Sequence, residues 1–589
     1  METIHIHQFE ARYHLPPSML EQSKKLDGAL DQVLDQGLSL ALQRYGYDPT
    51  QQICIRKILM PVRLRTSATT ADLVADWSMA MAECLHQAIK NRDSSRVVCY
   101  PSHLAALSDC ALGLSTGDLN RAWAWRQLGF LHTPAEGDPR ALAQDLVAWL
   151  LSNARMIVPL VVQLARVGRL RNFALRVTPD AWQAMAVGAL ARHAVASPES
   201  LLLPSAALPP VPSHGIIESL RTVAGRVVQT SPLGAGANAS LIDLGSMPSR
   251  VYAIFTVLST EPDLLHRRHT FPDILFACVD DALRSAYTTI RATSAASRHP
   301  QERGDGSAFR PATPARMDGK GSAMPMDSDS AIPVDPDAAL GAEKRVVRTE
   351  EEASCVLLPT RQGDVLTVHG NASDRPEQIP GPAVDDAYLP LPASDSPQRA
   401  AVPHPPAPEE GCRIDTDPLL DCRQEWFTEF GGLLFLAPQM KRLGIIDTIQ
   451  TDPLFKERPL RWALHCLSLE LVPADAHDPG VLAFCGLQPD KPPPGKDEPA
   501  MGRAEARRFE QWRERLVAVL CDDLGWRQMS DAHLLQRLCG RKARIVAEPG
   551  WIEVFLALAD VCLDIRKAGL DLDPGFIPWL GVVIKFHYA

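Results

Sequence analysis

The stretch that decides the fold lies near the end of the chain, where residues 543–558 read ARIVAEPGWIEVFLAL. Apolar and β-branched residues alternate on both sides of Pro549-Gly550, a pair that is typical of tight turns. A third β-rich segment, 580–588, follows a second turn signal at Pro574-Gly575. Together these segments predict a small antiparallel sheet that closes the C-terminal part of the chain.

Helical patterns precede this sheet from about residue 412. Apolar residues at helical spacing predict helices over 431–443, 459–471, 480–485, 503–520 and 532–538. We therefore expect a C-terminal unit, residues 412–589, that is helical and closed by the sheet.

Residues 291–411 differ sharply in composition from the rest of the chain. They hold 17 of the 49 prolines and only two aromatic residues, Phe309 and Tyr388. Ordering costs about 1–2 kcal/mol per residue, and this segment has too little apolar area to offset that cost. The composition predicts a disordered linker. Within it, apolar runs flank a Gln-Gly-Asp turn, so 353–369 is a small hairpin, a docking peptide or a chance apolar cluster.

Strand and helix patterns alternate at the start of the chain. Strand patterns occupy 4–15, 53–64 and 97–100, and helical patterns occupy 18–45, 71–91 and 103–114. This order predicts an α/β layer domain over residues 1–115, with a mainly helical region, 116–290, packed on it. The first strand pattern changes parity near His7-Gln8, which indicates a bulge. The whole chain is thus expected to be α+β.

Composition excludes several classes of function. A net charge of −10 gives no overall attraction for nucleic acid or anionic lipid, so no nucleic-acid partner is expected. No run of about 18 apolar residues occurs, so no membrane span is expected. The thirteen cysteines contain no CxxC pair, and no basic-then-apolar segment opens the chain. These features predict a cytoplasmic protein with reduced thiols and no signal peptide.

Few motifs indicate chemistry. His5 and His7 share one face of a strand, but no third ligand follows nearby, so no metal site is predicted. Gly234-Ala-Gly236 matches a dinucleotide motif only as a string, since no strand precedes it, and no cofactor is predicted. Cys539 precedes two cations, yet a core cysteine at a helix end fits it better. The sequence therefore predicts no catalytic residue, and an enzyme is not the favoured interpretation.

Tryptophans and paired glycines are the weak candidates for a protein–protein surface. Trp123 and Trp125 lie two apart in a predicted helix, so one faces the core while the other meets a neighbouring layer or a partner. The glycine pair lets an apolar segment approach its neighbours closely. Internal packing explains most such features, and the remainder are candidates for interaction. The candidate residues are Trp123, Trp125, Gly431, Gly432, Trp551 and Trp579.

A set of segments in both folded parts carries a resemblance to known proteins: 4–11, 53–64, 121–129, 430–436, 478–484 and 568–575 with 585–588. These segments resemble a protein encoded with bacterial contractile injection systems, the phage-tail-like particles in which a sheath contracts around a tube. The first and last segments are also similar to tape-measure proteins of such systems. The resemblance skips the linker and carries over no functional residue.

The resemblance implies a non-enzymatic structural component, a tape-measure-like protein or an assembly factor whose partners are tube, baseplate or sheath proteins. A tape measure spans its tube, and a helix rises about 1.5 Å per residue. Two separate compact units on a tether do not suit a full-length ruler, so an assembly factor or adaptor fits better. An enzyme with a dispersed active site and an unrelated cytosolic binding module stay open as alternatives. The oligomeric state is not predicted.

Overall fold

The computed structural model describes a defined set of residues. These are 11–15, 22–48, 50–65, 67–91, 95–134, 138–202, 214–234, 247–267, 270–297, 352–357, 422–495 and 498–588, with the single positions 4, 6 and 9. Of the predicted linker, only the end of a helix and one strand, Glu352–Leu357, fall among them. The rest of the linker and the predicted bulge near His7-Gln8 lie outside the described residues.

The described chain combines helices with sheets, which confirms the predicted α+β class. The helices are α1 (Ser23–Gln32), α2 (Leu38–Leu42), α3 (Thr70–Asn91), α4 (His103–Thr116), α5 (Ala122–Gln127), α6 (Pro139–Ser152), α7 (Ile157–Arg166), α8 (Leu170–Ala174), α9 (Pro179–Arg192), α10 (His214–Thr230), α11 (Ser249–Thr260), α12 (Pro272–Ser297), α13 (Ala437–Arg442), α14 (Ile445–Thr451), α15 (Leu460–Leu471), α16 (Pro479–Phe484), α17 (Arg503–Leu524), α18 (Asp531–Cys539) and α19 (Leu563–Lys567). The strands are β1 (Ala11–His14), β2 (Gln52–Ile55), β3 (Val62–Arg65), β4 (Val97–Tyr100), β5 (Glu352–Leu357), β6 (Gln424–Thr428), β7 (Ala543–Glu548), β8 (Trp551–Leu556), β9 (Gly575–Ile577) and β10 (Val582–Tyr588).

Two small sheets form the N-terminal part. β5 lies between β1 and β3 and pairs antiparallel with both, and β2 pairs antiparallel with β4. The strand pattern predicted over 53–64 is therefore two strands, β2 and β3, in different sheets. The apolar residues change parity between Ile55 and Ile58, where the chain leaves one sheet for the other.

The hydrophobic cores divide the chain differently from the predicted domains. One core joins α1 and α3 through residues such as Leu26 and Trp77. A second, larger core holds β4 and α4 together with the helical region up to Leu283. The predicted boundary near residue 115 therefore does not separate two cores. The reason lies in α4, which is apolar on all sides, with eleven buried residues, and so packs against neighbours all round.

The helical region contains no single described helix that is long and apolar enough to cross a membrane. Only α6 taken together with residues 154–166 passes that test by length and composition, and this pair is bent by 107°.

The C-terminal unit is closed by a five-stranded sheet in the order β6-β7-β8-β10-β9. Three of its strand pairs are antiparallel, one of them between the predicted strands β7 and β8, whereas β8 and β10 run parallel. Residues 557–581, which include α19 and β9, cross over between these two strands and make the parallel pairing possible. One face of the sheet covers the C-terminal core with residues such as Ile545, Val554 and Ile584.

The opposite face of the sheet meets the helical region at one end. Trp551 packs against the core of the helical region, and a Cβ atom on Gly550 would lie 2.5 Å from Cγ of Pro159. The two units expected to be separate are thus in contact, each with its own hydrophobic core. We call this contact the seam; it joins residues 154–267 to residues 455–581.

Candidate functional site at the seam

His193 anchors the seam at the end of α9. Its side chain is buried, and its Nδ1 atom lies 2.9 Å from the carbonyl oxygen of Pro578. The ring also packs edge-on against Phe576, with 5.1 Å between centroids. Burial lowers the pKa of His193 to about 4, so the ring is neutral at pH 7. Because a carbonyl only accepts, Nδ1 carries the proton and donates it to Pro578.

Arg267 crosses the seam through an ion pair and backbone contacts. It lies 2.9 Å from the Asp263 carboxylate, and both side chains are almost fully buried. The same guanidinium donates to the carbonyl oxygens of Phe455, Lys456 and Arg458 at 3.2, 3.2 and 2.8 Å. These carbonyls end the 3₁₀ turn Pro453–Phe455, where helix-terminal carbonyls need donors from elsewhere. Arg267 thus ties the helical region to the end of a 3₁₀ turn in the C-terminal unit.

Arg226 makes a second charged crossing. Its guanidinium donates to both carboxylate oxygens of Glu261, at 3.0 and 3.1 Å, and to the carbonyl oxygen of Glu457 at 3.1 Å. Glu498 of the C-terminal unit lies 3.7 Å away. Burial lowers the pKa of Arg226, but the carboxylates of Glu261, Glu498 and Asp263 together outweigh burial and raise that pKa above its usual value.

Arg458 extends this chain of charges into the C-terminal unit. It pairs with Glu505 at 2.8 Å and with Glu498 at 3.4 Å, and its guanidinium stacks over the Trp462 ring at 4.2 Å. This part of the seam therefore has balanced charge, with four arginines beside four carboxylates: Arg226, Arg267, Arg458 and Arg461 with Glu261, Asp263, Glu498 and Glu505.

Arg423 fixes a third part of the chain to the C-terminal sheet. It donates to the carbonyl oxygen of Pro101 at 2.8 Å and to the hydroxyl of Thr50. Its guanidinium also lies 3.4 Å from Asp48 and 3.3 Å from Glu553 on β8. One side chain therefore connects residues from the N-terminal part with the middle of the sheet.

A shallow cleft opens at the edge of the seam. Its cavity volume is about 10 Å³, far below the roughly 300–1,000 Å³ of small-molecule sites. His193 lies in it beside the guanidinium groups of Arg155 and Arg192, with no carboxylate or thiol among the lining residues. The lining residues are Ala154, Arg155, Val158, Pro159, Ala189, Arg192, His193, Phe576 and Gly581.

The sequence predicted no metal site, no reactive thiol and no dinucleotide site. No group of three or more His, Cys, Asp or Glu among the described residues has the arrangement to hold a metal ion, and His5 and His7 fall outside them. Cys539 is buried, which raises its pKa to about 12, so it is a core thiol as the sequence suggested. Gly236 of the glycine-rich string also lies outside the described residues.

The two N-terminal candidate tryptophans serve internal packing. Trp125 is 1% exposed, and its indole N–H donates to the Asp109 carboxylate at 2.9 Å. Asp109 also accepts from Tyr100 at 2.8 Å and from Arg121 at 3.1 Å. Trp123 is half-buried against the same core. The pair thus divides into one fully buried and one half-buried ring.

The C-terminal candidates divide between the core and the seam. A Cβ on Gly431 would lie 2.2 Å from Cβ of Ala543, and one on Gly432 would lie 2.1 Å from the Leu538 carbonyl oxygen, so both glycines permit close packing inside the unit. Trp579 is buried in the C-terminal core, directly after the Pro578 carbonyl that His193 binds. Trp551 alone of the six reaches across the seam to the other unit's core.

The seam arginines were missed by sequence reasoning. Arg226 and Arg267 contact residues 231 and 188 positions away, so no local spacing brings these groups together. One signal was present, because Arg226 lies at i+3 from Val223 on the apolar face of α10, where both Val223 and Val227 are buried. A charged residue on an apolar helix face indicates a buried partner.

The chain matches no protein-family model, no curated protein and no solved structure. The fold and the seam define an α+β protein whose helical region and C-terminal unit dock through paired charges.

Proposed function

We propose that this protein is a non-enzymatic structural component or assembly factor of a bacterial contractile injection system, acting through protein–protein contacts. The proposal rests on one observation: the buried charged side chains at the seam are bound by other groups of the protein. Arg226, Asp263 and Arg267 all bind protein groups, as partners do in a protein interface. A catalytic site would instead hold such groups facing a cavity.

The segments that resemble injection-system proteins support the proposal by their positions. Phe435, from 430–436, packs against Phe586, from 585–588, with ring centroids 5.0 Å apart. Asp478, at the start of 478–484, caps α16 and accepts from the Thr428 hydroxyl at 2.7 Å. Segments distant in sequence therefore build one core. Because these segments share one core, their resemblance to injection-system proteins supports a resemblance of the whole C-terminal unit.

The shape of the described units favours an adaptor over a full-length ruler. The longest described helix, α12, has 26 residues and spans about 39 Å at 1.5 Å per residue. A ruler would need a continuous extended element, whereas the described helices pack into three hydrophobic cores. The partners in this proposal are tube, baseplate or sheath proteins, and the site of action is the cytoplasm or an assembling particle.

Particle purification tests the proposal. Assembling and mature particles would be isolated from a strain carrying a tagged copy, and particles would be counted by electron microscopy in a deletion strain with and without a wild-type copy. The expected result is co-purification with particles or intermediates, and a deletion that lowers particle number or alters length until complemented. Absence of the protein from both fractions, with normal particles in the deletion strain, would refute the proposal.

A further inference from the structure

Three cations lie on aromatic rings around the cleft. The Arg155 guanidinium lies 5.4 Å from the centroid of Trp551, and the Lys585 ammonium lies 5.2 Å from the same ring. The Arg192 guanidinium lies 4.9 Å from the Phe576 centroid. We call these five residues the cation–aromatic surface. Arg155 and Arg192 belong to the helical region and the other three to the C-terminal unit, so the surface exists only when the units are docked.

The cations on this surface are not neutralised in the way the seam arginines are. Among the described residues, Arg155, Arg192 and Lys585 form no ion pair, and Arg155 and Arg192 are exposed. Glu548 is in register with Trp551, and Glu553 is in register with Lys585, on the same face of the sheet. Glu553 also pairs with Arg423, so the three cations outnumber the carboxylates beside the two half-buried rings.

The size of the cleft limits what can bind there. At about 10 Å³ the cleft has room for a water-sized group only, so a bound peptide would lie over it rather than enter it. It is lined by Pro159, Phe576 and Gly581 together with the exposed Arg155 and Arg192. Apolar groups beside exposed cations suit a peptide that presents carboxylates next to apolar side chains.

We propose that the cation–aromatic surface binds an acidic polypeptide segment of a partner protein. Carboxylates of the segment pair with Arg155, Arg192 and Lys585, and its apolar side chains contact Trp551 and Phe576. Charge complementarity and continuity with the seam support this occupant. A nucleic acid is disfavoured because the chain carries a net charge of −10 and three cations are few for phosphate binding.

The inference deepens the proposed function by naming the chemistry of a partner. Because both units contribute to the surface, the bound segment stabilises the docked arrangement by mass action. Partner binding and docking of the units are thereby coupled.

Fluorescence anisotropy of the purified full-length protein tests this inference. The probe is a labelled 12-residue peptide that alternates Glu with Leu, compared with the same peptide carrying Gln in place of Glu. The test variant is Arg155→Gln/Arg192→Gln/Lys585→Gln. The matched control, Arg221→Gln/Arg527→Gln/Lys542→Gln, removes three well-exposed cations elsewhere.

The expected result is that the test variant weakens binding of the Glu peptide by about tenfold or more, while the control changes it by less than about twofold. Thermal unfolding would verify that both variants fold. Equal weakening by the two variants, equal affinity for the Gln peptide, or tighter binding of a single-stranded oligonucleotide would overturn the assignment.

A second experiment tests whether an acidic segment of this chain itself occupies the surface. Replacing Glu409, Glu410, Asp415 and Asp417 by their amides would leave the Glu peptide affinity unchanged if a partner segment is the natural occupant. A marked gain in affinity would show that residues 409–417 occupy the surface instead and would overturn the partner assignment. Because the assay uses no injection particle, its failure is distinguishable from failure of the proposed function.

Discussion

The Nδ1 atom of His193 lies 2.9 Å from the carbonyl oxygen of Pro578, across a separation of 385 residues in sequence. This hydrogen bond joins the end of α9 to the turn before the last strand. A buried neutral histidine with an acceptor on the other unit makes the seam sensitive to acid, because the protonated ring would be charged in a site that burial disfavours.

Acid is expected to destabilise the protein through His193. Its folded pKa of about 4 lies below the ordinary value near 6.5. Between these values the unfolded state binds more protons, so the free energy of unfolding falls as pH falls from 7 to 4, by at most about 3 kcal/mol for this group. His103, whose pKa burial also lowers to about 4, adds a contribution of the same sign.

Urea unfolding at several pH values would measure this effect. His193→Asn keeps a donor for Pro578 but does not titrate, so its stability should depend less on pH than that of the wild type. His477→Asn is the matched control, since His477 is exposed. Identical pH slopes for wild type and His193→Asn would show that His193 does not carry the dependence.

Arg267→Met is expected to lower the free energy of unfolding by about 3–5 kcal/mol, because it leaves the buried Asp263 carboxylate unpaired. The double variant Arg267→Met/Asp263→Leu should recover much of that loss. Arg284→Met removes an exposed partner of Asp280 and should cost less than about 1 kcal/mol. Chemical denaturation would measure the free energy of unfolding of the three variants. A loss for Arg267→Met no larger than that for Arg284→Met would show that the Arg267–Asp263 pair does not stabilise the fold as a buried ion pair.

Gly432→Ala should destabilise the C-terminal unit by about 1–3 kcal/mol, because the added Cβ would meet the Leu538 carbonyl oxygen at 2.1 Å. Gly225→Ala is the control, since nothing lies within 4 Å of its Cβ in the middle of α10. Alanine should stabilise that helix slightly. Thermal melting would compare the stabilities of the two variants. An unchanged melting temperature for Gly432→Ala would show that the Leu538 carbonyl does not lie as close to residue 432 as described.

Trp125→Phe should cost about 1–3 kcal/mol, because the buried Asp109 carboxylate loses one of its three donors. Trp123→Phe on the same helix leaves Asp109 untouched and should cost less. Denaturation midpoints provide the measurement. Equal losses of stability in the two variants would show that the smaller ring, and not the lost hydrogen bond to Asp109, causes the effect.

Local patterns predicted much of the fold. β4 was placed at Val97–Tyr100 as observed, and α3 begins one residue before its predicted start. Alternation and helical spacing are properties of adjacent residues, so short segments display them. The close approach at Gly431-Gly432 was also readable from sequence, because small residues permit it wherever the neighbouring element comes from.

The seam could not be predicted in the same way. Arg226 and Glu498, or His193 and Pro578, meet only after two units have folded and docked. β6 was missed because its residues are mostly exposed and do not alternate clearly. The parallel pairing of β8 with β10 depends on the crossover through α19, which was also not foreseen. Of the six candidate residues, Trp551 is the one whose contact crosses the seam.

Cleavage of the intact chain tests most directly whether the seam holds the two units together. A protease site would be inserted near residue 390, between β5 and β6, and the cut protein would be passed over a sizing column at micromolar concentration. The two fragments should elute together, Arg226→Glu/Arg267→Glu should separate them, and Arg284→Glu should not. Separate elution of the unmutated fragments would show that the seam does not hold the two units together.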